Sequence, residues 1–186
     1  MPPNITSAIV FVVNAITSLY LLVLLLRFWL PWLQADFRNP LAQGILRLTS
    51  PIVIPVRRIL PSFGRLDTAT ILVAFVIQYV TILLLLLLMG QAAGFVPIAA
   101  TSIVKLLVLT INLFVYAIII RVVLSWISPG GYNPAAAIIT TLTEPILRPF
   151  RRILPPMGGF DLSPILAIIL LLAATIVVNG FKPLGL

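Results

Sequence analysis

Residues 27–67 read RFWLPWLQADFRNPLAQGILRLTSPIVIPVRRILPSFGRLD, and they recur without a gap at residues 121–161 as RVVLSWISPGGYNPAAAIITTLTEPILRPFRRILPPMGGFD. The register is constant at 94 residues, and 19 of the 41 positions are identical. A repeat of this kind has to be found first, because missing it misassigns the fold. Long apolar runs flank each copy, and the shared positions are mostly Arg, Asn, Pro, Gly and Asp. The duplicated unit is therefore a polar, proline-rich segment between two hydrophobic helices.

Composition sets the class. Of the 186 residues 61% are hydrophobic and 9% charged, and the mean hydropathy is +1.22. Soluble domains carry about 25% charged residues, so this chain cannot present an ordinary water-facing surface and reads as a membrane protein. It has no cysteine and no histidine. That excludes disulfides, thiolate nucleophiles, Cys or His zinc sites and histidine acid–base chemistry. The only acids are Asp36, Asp67, Glu144 and Asp161, little material for a metal cage or a paired-acid active site. No metal or cofactor is expected, and an enzyme acting on lipid or cofactor is the weakest functional class. Net charge is +8, and ten of the twelve Lys/Arg residues lie inside the two repeats. In so apolar a chain the counter-charge expected is anionic lipid headgroup rather than nucleic acid, each nearby cation contributing about 1 kcal/mol.

A spanning helix needs about 20 mostly apolar residues. Segments 5–26, 68–89, 96–120 and 163–178 meet or approach that requirement. In lipid the backbone must satisfy itself, so the fold class is all-α with four transmembrane helices, arranged as two tandem helix–amphipathic loop–helix repeats. Residues 1–90 form the first repeat and 96–186 the second, with 91–95 as a short connector. The first segment lacks a basic start, so it is read as a retained span rather than a signal peptide. Each unit crosses twice, so the repeats are parallel. Arg27, Arg38, Arg47, Arg57, Arg58 and Arg65 lie in the first loop, and Arg121, Arg148, Arg151 and Arg152 in the second. Lys/Arg asymmetry places both loops in the cytoplasm (the stroma in a plastid), with both termini opposite.

Within each loop, Asn39-Pro40 and Asn133-Pro134 are helix-start signals. Leu41, Ile45, Leu48 and Ile52 then fall on one helical face, matched by Ala135, Ile139, Leu142 and Ile146. Pro51 and Pro145 are expected to end or kink this helix, and Pro55 and Pro149 to repeat the break. The result is an amphipathic element too short and broken to span, lying in the headgroup plane with its apolar face down. The motif closes on Arg57-Arg58-Ile59-Leu60-Pro61 and Arg151-Arg152-Ile153-Leu154-Pro155. Asp67 and Asp161 each precede a spanning helix, where they cap its start and pair with the Arg pair nine or ten residues earlier. Glu144 is placed to pair with Arg148 if the helix continues past Pro145. Duplicated halves of this kind are expected to bring their loop helices together.

The Arg pairs admit two readings. One is a binding face for a partner's acidic segment or a lipid phosphate; the other is a topological anchor that also holds bulk anionic lipid. The fixed proline frame around them implies a defined shape under either. Asn14, Gln78 and Asn112 read as interhelical hydrogen-bonding glue or as a polar path. Arg27 and Arg121 end the first and third spans, each followed by Trp32 or Trp126, as interfacial anchors. Lys105 is the one charge within a span, and either snorkels out or serves function.

At the paired Pro-x-x-x-Pro-x-Arg-Arg-Ile-Leu-Pro frames the chain resembles the YggT family, also called YlmG, small integral membrane proteins of bacteria and plastids. The positions carrying the resemblance are Asn39, Pro51, Pro55, Arg57, Arg58, Pro61 and Asp67, with Asn133, Pro145, Pro149, Arg151, Arg152, Pro155 and Asp161. It implies a bacterial inner-membrane protein, or less readily a plastid one. Associated roles are tolerance of osmotic or envelope stress, proximity to cell-division factors, nucleoid distribution and haem assembly on a cytochrome b. It supplies no catalytic residue. Arg148 stands where the first copy has Ile54, and Pro129-Gly130-Gly131 where it has Ala35-Asp36-Phe37, so the loops differ in charge and stiffness. The leading expectation is a non-enzymatic scaffold or assembly factor with protein partners or a second copy of itself. The alternative is a small oligomeric channel or transporter.

Overall fold

A computed structural model describes residues 3–64, 66–127, 133–153 and 161–185. Among these residues it contains six helices and no β-strand: α1 Pro3–Trp32, α2 Pro40–Ile59, α3 Thr68–Leu88, α4 Phe95–Ile127, α5 Pro134–Ile153 and α6 Ser163–Asn179. Three of them, α1, α3 and α4, are long and apolar enough to cross a membrane. The fourth expected span, α6, is apolar but has 17 residues, about 26 Å at 1.5 Å per residue.

The starts of the two loop helices follow their sequence signals. Asn39 sits in an extended conformation and its side chain accepts from the Leu41 amide at 2.9 Å, with Pro40 as the first helical residue. The Asn133 side chain likewise accepts from the Ala135 amide at 2.9 Å. Their ends do not follow the expectation. α2 runs on through Pro51 and Pro55, and α5 through Pro145 and Pro149. The reason is spacing. Prolines four residues apart share one helical face, so the missing amides free carbonyls on that face alone. That face is exposed in both helices, where water or headgroups can satisfy it.

Within the apolar stripe read on α2, Leu41, Leu48 and Ile52 are exposed on the protein surface, while Ala42, Thr49 and Val53 are buried against the bundle. Two further helices are longer than expected. α1 continues to Trp32 and α4 to Ile127, so Arg27 and Arg121 lie inside helices rather than ending them.

Packing repeats with the sequence. α1, α2 and α3 meet around a core that includes Leu24, Val53 and Val73. α4, α5 and α6 meet around Ile118, Leu147 and Ala167, each 94 residues further on. The two loop helices touch, as expected of duplicated halves. Ala42 packs with Ile138 and Leu142, and the Asn39 side-chain amide donates to the Pro134 carbonyl at 2.8 Å. Higher in the bundle Trp29 of α1 meets Phe114 of α4 edge-on, with ring centroids 5.2 Å apart.

α3 ends in a Schellman motif. Gly90 adopts φ 67°, its amide donates to the Leu87 carbonyl at 3.1 Å, and the Gln91 amide to that of Leu86 at 2.9 Å. Nothing lies within 4 Å of a Cβ added at Gly90 or at Gly44 inside α2, so each substitution reads backbone preference alone. Gly90→Ala is expected to destabilise by about 1–2 kcal/mol, and Gly44→Ala to stabilise by about 0.5–1 kcal/mol. Opposite shifts of the unfolding midpoint of purified protein in detergent check both.

Candidate functional site

Each loop helix is fastened to the spans by an arginine whose role its sequence position did not suggest, buried in the first repeat and part-buried in the second. Arg27 is 4% exposed. Its Nη1 donates to the Thr49 hydroxyl at 2.8 Å and the Ser50 hydroxyl at 3.1 Å on α2. Its Nε faces Asp67 Oδ2 at 3.7 Å, an ion-pair contact longer than a hydrogen bond. Asp67 in turn pairs with Arg57 and accepts from the Thr70 hydroxyl at 2.7 Å and the Thr70 amide at 3.3 Å, capping α3. One carboxylate thus joins α1, the end of α2 and the start of α3.

The second repeat builds the same joint with different acids. Arg121 donates to the Thr143 hydroxyl at 2.8 Å and to Glu144 at 2.9 Å. Glu144 also holds Arg151 at 3.1 Å, and Arg151 Nε reaches Asp161 at 2.8 Å. Asp161 accepts from the Ser163 amide at 3.0 Å. The expected Glu144–Arg148 pair is replaced by these contacts. α5 does continue past Pro145, but Glu144 is engaged by Arg121 and Arg151 instead. The first joint has two arginines and one acid, the second two arginines and two acids.

The environment holds the acids ionised. Burial pushes the Asp67 carboxyl up, but the Thr70 hydroxyl, the Arg57 guanidinium and the Thr70 amide outweigh it and hold the group below the usual carboxylate range. Glu144 is likewise raised by burial and lowered further by Arg121 and Arg151. Burial raises Asp161 too, and Ser163 with Arg151 brings it down. Burial lowers Arg151, but Asp161 and Glu144 together raise it.

The two arginines of each pair have different surroundings. Arg57 and Arg151 are paired with acids of their own repeat, although Arg57 is itself exposed, whereas Arg58 and Arg152 are exposed and among the described residues no carboxylate lies within 4.0 Å of either. Arg58 shares an exposed stripe with Arg47, Pro51 and Ile54, at helical spacings of four, three and four. On α5 the equivalent stripe holds Pro145, Arg148 and Arg152. Pro51 and Pro55 line an open groove beside it of about 560 Å³. Pro61 follows α2, and its carbonyl accepts from the Thr68 hydroxyl at 2.9 Å. Pro155 lies outside the described residues, as do Pro129, Gly130, Gly131 and Arg65. Trp32 and Trp126 are exposed near the ends of their helices.

The polar residues within the spans converge. Asn14 of α1, Gln78 of α3 and Lys105 and Asn112 of α4 line one cavity of about 200 Å³, with Asn179 and Lys182 beside them. Arg27, Arg121, Thr49, Thr143 and Glu144 were missed as site residues. The signal that finds the first four is their exact recurrence at 94 residues.

An all-helical bundle with spans of membrane length and basic joints at one end defines a membrane protein. The chain belongs to the CCB3/YggT family, whose model matches residues 6–88 and 100–181. It is similar to an uncharacterized protein of Pseudomonas aeruginosa, at 44% identity over 95% of this chain and 91% of that one. It is 35% identical to the uncharacterized protein YggT of Escherichia coli K12, over 89% of this chain and 86% of the relative. A shorter match, 41% identical, covers 35% of this chain and 26% of the chloroplastic YlmG homolog protein 2 of Arabidopsis thaliana. No solved structure matches.

Removing the buried acid strands Arg27, whereas Asp161 is more exposed and leaves Arg151 its bond to Glu144. Asp67→Asn is expected to cost about 3–5 kcal/mol and Asp161→Asn under about 1 kcal/mol, read from unfolding midpoints in detergent. A lowered carboxyl stabilises above its unfolded value and loses that stability as pH falls through its folded one, so the acid limb lies below about pH 4. Asp67→Asn flattens that limb. Equal losses in the two variants, or an unchanged acid limb, contradict the assignment.

Proposed function

We propose that this protein is a non-enzymatic membrane scaffold or assembly factor whose two loop helices present an outward basic, proline-lined surface to anionic headgroups and to an acidic segment of a protein partner. The observation that carries this is the division within each Arg-Arg pair. Arg57 and Arg151 are engaged with acids of their own repeat, and Arg58 and Arg152 are turned outward. Anchoring needs positive charge but no particular shape. Here the joint holds each loop helix at fixed orientation, so the outward arginines form a surface with geometry.

The acids support the absence of catalysis. Asp67, Glu144 and Asp161 are bound in joints, and Asp36 accepts from the Arg38 amide at 2.8 Å. Each of the four carboxylates already accepts an ion pair or a hydrogen bond within its own repeat, which supports a structural role for them. In this reading α6 completes a fourth crossing, the loop helices lie on the cytoplasmic face of a bacterial inner membrane, and both termini lie opposite. The Lys/Arg asymmetry supports that orientation, and the bacterial relatives support that membrane. A role in envelope or osmotic stress fits such a platform.

The test is in-cell photo-crosslinking from positions 54 and 148, with position 92 on the connector as control. A discrete protein partner captured from 54 and 148 but not 92, and lost in Arg58→Ala/Arg152→Ala, is the expected result. Full complementation of a deletion strain by Arg58→Ala/Arg152→Ala, with an unchanged crosslinking pattern, overturns it.

A further inference from the structure

The arginine joint of the first repeat lines a pocket of about 360 Å³ between α1, α2 and the turn into α3. That volume lies in the range of about 300–1,000 Å³ typical of small-molecule sites. Arg27, Arg57 and Asp67 form its charged wall, and Pro31, Phe37 and Leu46 its apolar one. The turn fixes its lip. Gly64 adopts φ 60° there, and Phe63 and Leu66 exchange backbone hydrogen bonds of 3.1 and 3.0 Å.

Charge is the first indication of what such a pocket takes. Its lining carries two guanidinium groups against one carboxylate, a surplus of one positive charge. In the second repeat Glu144 stands where the first has Ser50, and it brings two arginines and two acids into balance. The first repeat has only a hydroxyl at that position, which accepts from Arg27 Nη1 at 3.1 Å. It satisfies a donor and leaves the charge uncompensated.

A buried donor is the second indication. Arg27 is 4% exposed, and its Nε has no hydrogen-bond partner among the described residues. Asp67 Oδ2 stands 3.7 Å away, beyond hydrogen-bond reach. That oxygen accepts from the Thr70 hydroxyl at 2.7 Å and pairs with Arg57, so its place is set by other donors. A buried polar group left in this way calls for an acceptor. Arg57 meets Asp67 through Nη2, and a guanidinium carries five donors in a planar fork that matches phosphate.

We infer that this pocket of the first repeat binds one phosphate group, held by the Arg27 Nε and the Arg57 guanidinium, with Pro31, Phe37 and Leu46 against the organic group that carries it. A phosphate supplies the acceptor and the negative charge together. Its tetrahedral oxygens point in several directions, which suits two guanidinium groups arriving from different helices. In a membrane the phosphate at hand is that of a lipid headgroup, and soluble phosphate offers the same chemistry. The pocket is separate from the outward stripe of Arg47 and Arg58, and the inference does not rest on that stripe recruiting a partner.

The test uses the full chain, delipidated in dodecyl maltoside, a detergent without phosphate. Native mass spectrometry counts the ligands retained, with dioctanoyl phosphatidylglycerol as the probe in one arm and inorganic phosphate in the other. Saturation at one adduct is expected. Saturation by the lipid alone names a headgroup as the source, and saturation by inorganic phosphate names a soluble one. Arg57→Gln weakens binding about tenfold or more. Ser50→Glu copies the second repeat, places a carboxylate on Arg27 and weakens binding by a similar factor, with the unfolding midpoint unchanged or raised. That result stands even if Arg57→Gln fails to fold. Arg58→Gln, on the outward stripe, retains full binding. No saturable adduct with either probe, or full binding by folded Ser50→Glu, overturns the proposal. Binding lost in Arg58→Gln but kept in Arg57→Gln assigns it to the outward stripe and overturns it equally.

Discussion

Everything at the basic end of this molecule depends on keeping one guanidinium buried. Arg27 is carried on a membrane helix, is 4% exposed and cannot lose its charge. Its partners must therefore come to it. Thr49 and Ser50 arrive on α2, and Asp67 arrives at the start of α3. Those contacts set where the loop helix lies, which of its faces is buried, and where the next span begins. The apolar side chains Val53 and Val73 pack behind this arrangement. Leaving such a charge without partners costs far more than the net gain from pairing it, so the joint acts as a locator more than as a source of stability.

The second repeat keeps the locator and changes its electrostatics. Ser50 is replaced by Glu144, which bridges Arg121 and Arg151. The Arg57 equivalent is then shared between two acids, and the joint is neutral where the first carries one surplus positive charge. Outward, the change goes the other way. Arg148 replaces Ile54, so the α5 stripe gains a cation that the α2 stripe lacks at that position. The two loop helices meet at Ala42, Ile138 and Leu142, and so present two related but unequal basic surfaces side by side.

Much of the architecture was legible in the residues themselves. The 94-residue register, the Asn-Pro starts and the apolar runs gave the helix order and the contact between loop helices. Asp67 and Asp161 were identified as helix-start partners of Arg57 and Arg151, ten residues earlier in each case. What failed had physical causes. Pro51 and Pro55 read as breaks because the rule assumes a buried helix, whereas here the freed carbonyls face outward. Arg27 and Arg121 read as anchors because a lone cation near the end of an apolar run usually snorkels. Nothing in one repeat alone shows that Thr49 waits for Arg27. Only their joint recurrence as Arg121 and Thr143 hints at it. Asn14, Gln78 and Asn112 were open to reading as a polar path, but that they line one cavity with Lys105 depends on the packing of three helices, which spacing along the chain does not give.

Hydrogen exchange read by mass spectrometry on Arg27→Met in nanodiscs tests the locating role of this arginine most directly. With the charge-assisted bonds to Thr49 and Ser50 gone, amides across 45–59 should exchange about 10–100-fold faster, while those of α3 and α4 keep their protection as the internal control. Unchanged exchange across α2 in a folded variant would show that apolar packing alone holds the loop helix, and that the buried guanidinium locates nothing.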